Sequence, residues 1–165
     1  MKNLVVVALV LLLLGACQKK QYFTASPEID LVKKANAAYF AGDWDTFKSA
    51  YADTAKIWFN KWHSNNPGLT PDQFIETLKG GLANYSEYKV AETPIYDMII
   101  NDTGDNWVQC WLLWSAKTKT GTEVNVPVHL SLMVKSNKVV YQALIVDALP
   151  GYLASMPSDS SAAKP

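Results

Sequence analysis

The chain has 165 residues, of which 49% are hydrophobic, and a formal net charge of +0 at pH 7. This length predicts a single globular domain with a buried core. Every basic residue other than the two histidines is a lysine, because the sequence contains no arginine. Without a basic stripe, or the planar arginine fork that grips phosphates, the sequence argues against nucleic acid as a partner.

The N-terminal residues have the pattern of a secretory signal. Lys2 precedes an apolar run over residues 4–14, which is too short to cross a membrane as a helix. The run ends in Leu-Gly-Ala-Cys, which resembles a bacterial lipobox. The resemblance implies that residues 1–16 are removed and that Cys17 carries a lipid anchor. A plain signal peptide with a chance cysteine is the alternative.

The residues after Cys17 indicate where the protein resides. Gln18 takes the place that aspartate would occupy in an inner-membrane signal, so the pattern resembles outer-membrane sorting in Gram-negative bacteria. We therefore expect a protein of the bacterial cell envelope, tethered through the polar residues 17–26 to the periplasmic face or the surface. The remaining cysteine, Cys110, lies within a predicted strand, which favours an inert buried thiol.

Two helices are predicted at the start of the mature chain. Ser26 can cap the first helix, and Pro27 suits its first position. Gly42 is expected to end this helix, and Asp43 to begin a second, short one. Apolar residues recur at helical spacing on one side of the first helix, which therefore has a face to bury.

The middle of the chain predicts a strand, a helix and a second strand. Residues 55–60 form the first strand, and Thr70 caps the helix that follows. The glycine pair at 80–81 is expected to break that helix. Residues 88–101 form one long strand, in which Pro94 suggests a bulge or an edge position.

The last part of the domain predicts three antiparallel strands, over residues 107–116, 123–135 and 138–147. Residues 136–137, Ser-Asn, suit a tight turn between the second and third strands. The second strand carries one aliphatic row at period two, which we expect to face the helices. Its members are Val124, Val126, Val128, Leu130, Leu132 and Val134.

Helices that precede an antiparallel meander favour an α+β domain over residues 27–150. The Ser-, Ala- and Pro-rich residues 151–165 are expected to form a flexible tail.

Short motifs along this domain resemble the nuclear transport factor 2-like (NTF2-like) superfamily, in particular its SnoaL-like branch. The resemblance rests on residues 39–45 (YFAGDWD), residues 51–57 (YADTAKI), Trp107-Val108, residues 137–139 and the closing Asp147. It implies a cone, in which a strongly curved sheet wraps around a long helix and opens at one end to a pocket. Members include isomerases, dehydratases, cyclases and proteins without a known reaction, and they commonly dimerise through the convex sheet face.

The resemblance implies an Asp or His base inside the cone if the protein is an enzyme, and the candidates are Asp97, His129 and Asp147. Asp97 shares a predicted strand face with Ile95 and Ile99, where apolar surroundings would raise the pKa of its carboxyl group. Alternatively, this face is exposed, or a neighbouring donor holds the carboxylate.

The other two candidates are weaker. If the aliphatic row faces the helices, His129 points to the convex side, unless a bulge near Pro127 reverses the faces. Asp147 suits a structural hydrogen bond at the rim. The histidines and acidic residues lack metal-ligand spacing, so we expect neither a metal nor a cofactor.

Aromatic residues are the more informative class, since the sequence has six tryptophans. That number exceeds what a core of this size needs, and tryptophan is hard to bury completely. We therefore expect several aromatic residues to line a pocket, with His63 near its mouth. The predicted lining residues are Tyr39, Trp58, Trp62, Tyr96 and Trp111. Structural walls and a dimer interface are the alternative use for these rings.

The sequence therefore favours a membrane-tethered module that binds a small hydrophobic ligand without turnover. One alternative is an isomerase-like or cyclase-like enzyme with Asp97 or His129 as its general base. The other is a dimeric interaction protein of the envelope.

Overall fold

The structure is a computed structural model that describes residues 21–60 and 66–156. The described residues form a curved seven-stranded sheet with four helices. The helices are α1 (Pro27–Ala41), α2 (Trp44–Ser49), α3 (Pro71–Leu82) and α4 (Leu149–Ser155). The strands are β1 (Tyr22–Phe23), β2 (Tyr51–Phe59), β3 (Tyr85–Val90), β4 (Ile95–Ile100), β5 (Asn106–Thr118), β6 (Glu123–Lys135) and β7 (Lys138–Val146). Within the described residues, no helix has both the length and the apolar character needed to span a membrane.

The predicted start and end of α1 are confirmed by its cap geometry. The Ser26 hydroxyl accepts a hydrogen bond from the Ile29 amide at 3.2 Å. Gly42 ends the helix with a left-handed φ of 70°, which glycine adopts at little cost. Asp43 then caps α2 by accepting a hydrogen bond from the Thr46 amide. Local sequence therefore determines this helical pair, and Ile29 and its helical neighbours are buried against the sheet.

The helix α3 begins where the sequence predicts but ends later. Thr70 forms a reciprocal capping box with Gln73. The predicted break at residues 80–81 is wrong, because α3 continues through both glycines to Leu82. A glycine inside a helix costs only about 1 kcal/mol relative to alanine, and burial of Phe74 and Ile75 in the first turns outweighs that cost.

The sheet is built around the predicted meander of β5, β6 and β7. Ser136 and Asn137 have φ values of 50° and 58°, as a two-residue hairpin turn requires. The aliphatic row of β6 faces the helices, with Leu132 only 2% exposed. Two further strands flank the meander, since β4 pairs with β5 and β2 runs parallel to β7.

The long strand predicted over residues 88–101 is two strands, β3 and β4. Both pair antiparallel with the same edge of β5, where Val90 lies opposite Trp114 and Ile95 lies opposite Trp111. Residues 91–94 therefore lie opposite only residues 112–113 of β5, so this segment has two residues too many to continue the pairing. Pro94 lies in this interruption, because proline has no backbone N–H to donate.

Both ends of the described chain form regular secondary structure where the sequence predicts a tether and a flexible tail. Tyr22 and Phe23, within the predicted tether, pair with β4 as strand β1. The helix α4 occupies the start of the predicted flexible tail. Its Pro150 lies in the first turn, where a missing N–H has no cost. The predicted signal sequence and Cys17 lie outside the described residues.

The core between helices and sheet includes Cys110. This thiol is 0% exposed, and burial raises its pKa to about 11. It therefore stays protonated near neutral pH and behaves as a small apolar group, as its sequence context predicts.

Candidate ligand-binding cavity

A cavity of about 1090 Å³ lies between the helices and the concave face of the sheet. Its deeper walls come from α1, α3 and strands β5 to β7. Exposed lining residues, among them Lys119, Asp147 and Tyr152, mark its mouth beside α4. The expected pocket is therefore present, and it is large enough for a ligand of several rings.

Apolar groups form most of the cavity wall. The sheet contributes inward-facing residues of β6 and β7, and the helices contribute aromatic rings. Examples are Val128, Leu130, Leu144, Phe40, Phe47 and Phe74. The aliphatic row of β6 thus serves both the core and the cavity.

The first polar feature of the wall is a buried pair, Tyr51 and Gln142. The Tyr51 hydroxyl donates a hydrogen bond of 2.5 Å to the side-chain oxygen of Gln142, which is 2% exposed. Burial raises the pKa of Tyr51 well above its ordinary value, so the hydroxyl stays protonated. The pair is uncharged, because a phenol donates to a carboxamide oxygen.

The second polar feature is formed by Tyr39 on α1 and Trp114 on β5. Burial raises the pKa of Tyr39 to about 12, and the nearby indole N–H of Trp114 opposes part of this shift. The indole nitrogen is buried, but no acceptor among the described residues meets its N–H in hydrogen-bonding geometry. Tyr85 packs edge-on against the indole at a centroid distance of 5.0 Å.

The structure places the predicted lining residues differently. Tyr39 lines the cavity. Tyr96 points inward but lies away from the cavity wall, where its hydroxyl accepts a hydrogen bond of 3.1 Å from the side-chain Nδ2 of Asn36. Trp62 and His63 fall outside the described residues.

Two predicted lining residues, Trp58 and Trp111, are corrected, because both lie on the outer side of the sheet. Trp58 packs on Tyr141 at a centroid distance of 4.6 Å. Trp111 is 43% exposed and stacks on His129 at 4.9 Å. In each strand the neighbouring residues point inward, and the alternation of the pleat sends these indoles outward.

Asp97 and His129 are not bases inside the cavity, because both lie on the outer face, which is the alternative that the sequence leaves open for each. Asp97 lies between the exposed Ile95 and Ile99 and accepts a hydrogen bond from the hydroxyl of Tyr22. The ring Nε2 of His129 lies 3.0 Å from the side-chain oxygen of Gln109 on the same outer face. No bulge reverses the faces, because β5 and β6 keep one register from Glu123 to Val134. Neither group reaches the cavity.

Asp147 lies at the cavity mouth, and its carboxylate accepts a hydrogen bond of 3.0 Å from the Leu149 amide. This is the rim hydrogen bond that the sequence suggests. Among the described residues that line the cavity, Asp147 is the only carboxylate and Lys119 the only amine. Within residues 21–60 and 66–156, no three His, Cys, Asp or Glu side chains come together as a metal site.

Gln142 and Trp114 are two lining residues that the sequence analysis does not identify. In β7, Val139 and Gln142 both point inward, although strict alternation would pair Val139 with Tyr141. The register shift opposite Val134 gives β7 one extra residue, which reverses the alternation of inward and outward side chains along that strand. For Trp114 the signal is present, since it occupies the opposite face of β5 from Trp107 and Trp111.

Neither a protein-family model nor a curated protein matches the chain. The structure nevertheless matches an NTF2-like protein from Burkholderia xenovorans LB400, at 14% identity and a TM-score of 0.60, over 81% of this chain and 100% of that chain. The chain has an NTF2-like fold.

Two further matches come from proteins named as candidate polyketide cyclases. One, SnoaL-like and from Shewanella putrefaciens CN-32, is 17% identical with a TM-score of 0.58, over 80% of this chain and 88% of that chain. The other, IdmH from Streptomyces antibioticus, is 13% identical with a TM-score of 0.61, over 78% and 97%. At these identities the likeness establishes the NTF2-like fold and leaves the reaction to the residues of the site.

Proposed function

We propose that this NTF2-like domain binds one small, largely apolar molecule in its cavity without converting it. The observation that carries the proposal is the cavity of about 1090 Å³, whose walls are mainly aliphatic and aromatic. Ligand pockets typically combine such walls with a few placed polar groups. Tyr39, Tyr51 and Gln142 are groups of that kind.

The charge of the cavity supports an uncharged ligand. The polar groups of the deeper walls are uncharged, and they include tyrosines that stay protonated, carboxamides and an indole. Lys119 and Asp147, the charged lining residues, lie exposed at the mouth. A ligand charge deep in this cavity would lose its hydration and meet no counter-ion.

An enzymatic alternative follows from the matches named as candidate polyketide cyclases. Here Asp147 would be the acid–base group, since Asp97 and His129 lie on the outer face. Asp147 is exposed at the mouth, away from the apolar walls, and its carboxylate already accepts a hydrogen bond from the backbone. These observations favour binding over turnover.

Blocking the cavity tests the proposal. Val128 lines the cavity, whereas Asn125 on the same strand is exposed on the outer side. We expect the neutral dye Nile red to bind the protein lacking residues 1–17, and Val128→Trp to weaken that binding at least about tenfold, because the indole would fill the space. Asn125→Trp adds the same bulk outside the cavity and should bind the dye normally. Equal binding by both variants would contradict the proposal.

We also propose that the domain is tethered to the cell envelope through an acylated Cys17. The lipobox-like sequence supports this anchor, and the pairing of Tyr22 with β4 leaves only a short connection between it and the domain. Labelled palmitate should be incorporated by the full chain and by Cys110→Ser, but not by Cys17→Ser. Label retained by Cys17→Ser would contradict the anchor.

A second copy of the chain is the partner that we propose for the outer face. Ile95, Trp111 and Ile145 lie in one row across the sheet and are 62%, 43% and 48% exposed. Exposed apolar groups in a contiguous row are typical of an interface. Sedimentation should find a dimer, and Trp111→Glu should convert it to monomer, because the carboxylate would be buried without a partner. A monomeric wild-type protein would contradict this proposal.

A further inference from the structure

The buried indole N–H of Trp114 is the one polar side-chain atom of the described residues that is buried and has no hydrogen-bond partner. Buried donors in folded proteins are nearly always paired, so an exception calls for an explanation. Trp114 lies on the cavity wall and not in the closed part of the core. A molecule bound in the cavity could therefore account for this unpaired donor.

The sheet and one neighbouring ring hold Trp114 in position. Its backbone pairs on both sides within the sheet, with Val90 of β3 and Val126 of β6. The ring of Tyr85 lies edge-on against the indole at 5.0 Å. The nitrogen itself is enclosed, so a ligand in the cavity does not reach it directly.

The Tyr39 hydroxyl lies beside the indole, and Tyr39 lines the cavity. A phenol oxygen can accept one hydrogen bond while its own proton is donated to another group. If the indole N–H is directed at the oxygen of Tyr39, the Tyr39 proton must point elsewhere. Hydrogen bonds arranged in such a chain strengthen one another.

We propose that the Tyr39 hydroxyl is the ligand-recognition donor of this cavity, that Trp114 is its positioning residue, and that the pair selects apolar ligands bearing an uncharged acceptor oxygen such as a ketone carbonyl. The inference rests on the proposed binding function. Ligand binding draws the Tyr39 proton toward the carbonyl oxygen, and the indole N–H then pairs with the Tyr39 oxygen. A carboxylate ligand is disfavoured, since Lys119 at the mouth is the only cation among the described lining residues.

Two probes of nearly equal shape isolate this hydrogen bond. They are 2-acetylnaphthalene and 2-isopropylnaphthalene, in which a carbonyl oxygen replaces a methyl group. Equilibrium dialysis gives both dissociation constants for the protein and its variants. The ratio between the two probes cancels changes in cavity shape that affect both alike.

We expect Tyr39→Phe to weaken binding of the ketone probe about fivefold relative to binding of the hydrocarbon probe. This change corresponds to the loss of one hydrogen bond. Trp114→Phe should weaken binding of the ketone probe about twofold, because the Tyr39 hydroxyl can still donate but is no longer oriented by the indole N–H. Tyr141→Phe is the matched control and should leave the ratio unchanged, since Tyr141 packs against Trp58 on the outer side of the sheet and does not line the cavity.

The outcomes separate this inference from the proposed function. If both probes bind but Tyr39→Phe leaves their ratio unchanged, the recognition pair is wrong and the binding function stands. If neither probe binds the wild-type protein, the binding function itself fails, and the inference with it.

Infrared spectroscopy keeps the test valid if a variant does not fold. The carbonyl stretch of bound 2-acetylnaphthalene should lie below its position in hexane, as hydrogen bonding requires. A stretch at the hexane position would overturn the inference without any substitution.

Discussion

The two faces of the same strands carry different chemistry. The inner face of β5 and β6 presents Trp114 and the aliphatic row to the helices and the cavity. The outer face presents the stacked Trp111 and His129 and the hydrogen-bonded Gln109. The groups best suited to acid–base chemistry therefore lie outside the cavity, and the neutral donors lie inside it. A residue's place in the alternation of a strand, more than its type, determines whether it can serve a ligand.

The largest difference between the two faces is expected when neighbouring residues of β6 are replaced by alanine. Leu132 is 2% exposed on the inner face, whereas Met133 lies on the outer face. We expect Leu132→Ala to lower the free energy of unfolding by about 2–5 kcal/mol, because it leaves a cavity in a packed core. Met133→Ala should cost less than about 1 kcal/mol. Urea unfolding measures both, and equal losses would mean that the faces are assigned incorrectly.

A smaller effect is expected from the tyrosine hydrogen bonds of the two faces. Tyr51→Phe removes the donor to the buried side-chain oxygen of Gln142 and should cost about 1–3 kcal/mol. Tyr22→Phe removes the hydrogen bond to Asp97 on the exposed face, where water replaces it, and should cost less. Thermal unfolding compares the two variants. A greater loss for Tyr22→Phe would contradict the inner position of Tyr51.

The smallest effect concerns His129. Partial burial lowers its pKa, so the folded protein binds a proton there less readily than the unfolded chain does. Stability from this group is therefore present above the ordinary pKa of about 6.5 and is lost as pH falls through the depressed folded pKa. Between about pH 7.5 and about pH 5, the wild-type midpoint of thermal unfolding should fall more than that of His129→Gln. A parallel fall would show that His129 contributes nothing.

Much of the fold can be predicted from the sequence, because its signals are local. Ser26, Gly42 and Thr70 determine helix ends through hydrogen bonds and φ angles that involve only nearby residues. The alternation of aliphatic residues along β6 predicts which of its faces is buried. The continuation of α3 past its glycines could not be predicted, because long-range packing of Phe74 and Ile75 overrides a weak local preference.

The site is less predictable, because it depends on the phase of each strand. Trp58 and Trp111 have the right chemistry for a pocket but occupy outer positions. Gln142 faces inward only because of the register shift in β7, and a sequence alone does not reveal where a strand bulges. Tyr39 could be identified because it lies on a helix face with clear periodicity.

The measurement that tests the account most directly is native mass spectrometry of the protein lacking residues 1–17, purified gently and then denatured for comparison. Binding in the cavity predicts a non-covalent adduct of one small molecule per chain, which is lost on denaturation and absent from Val128→Trp. Chains without an adduct that also fail to take up an added apolar ligand would contradict the account.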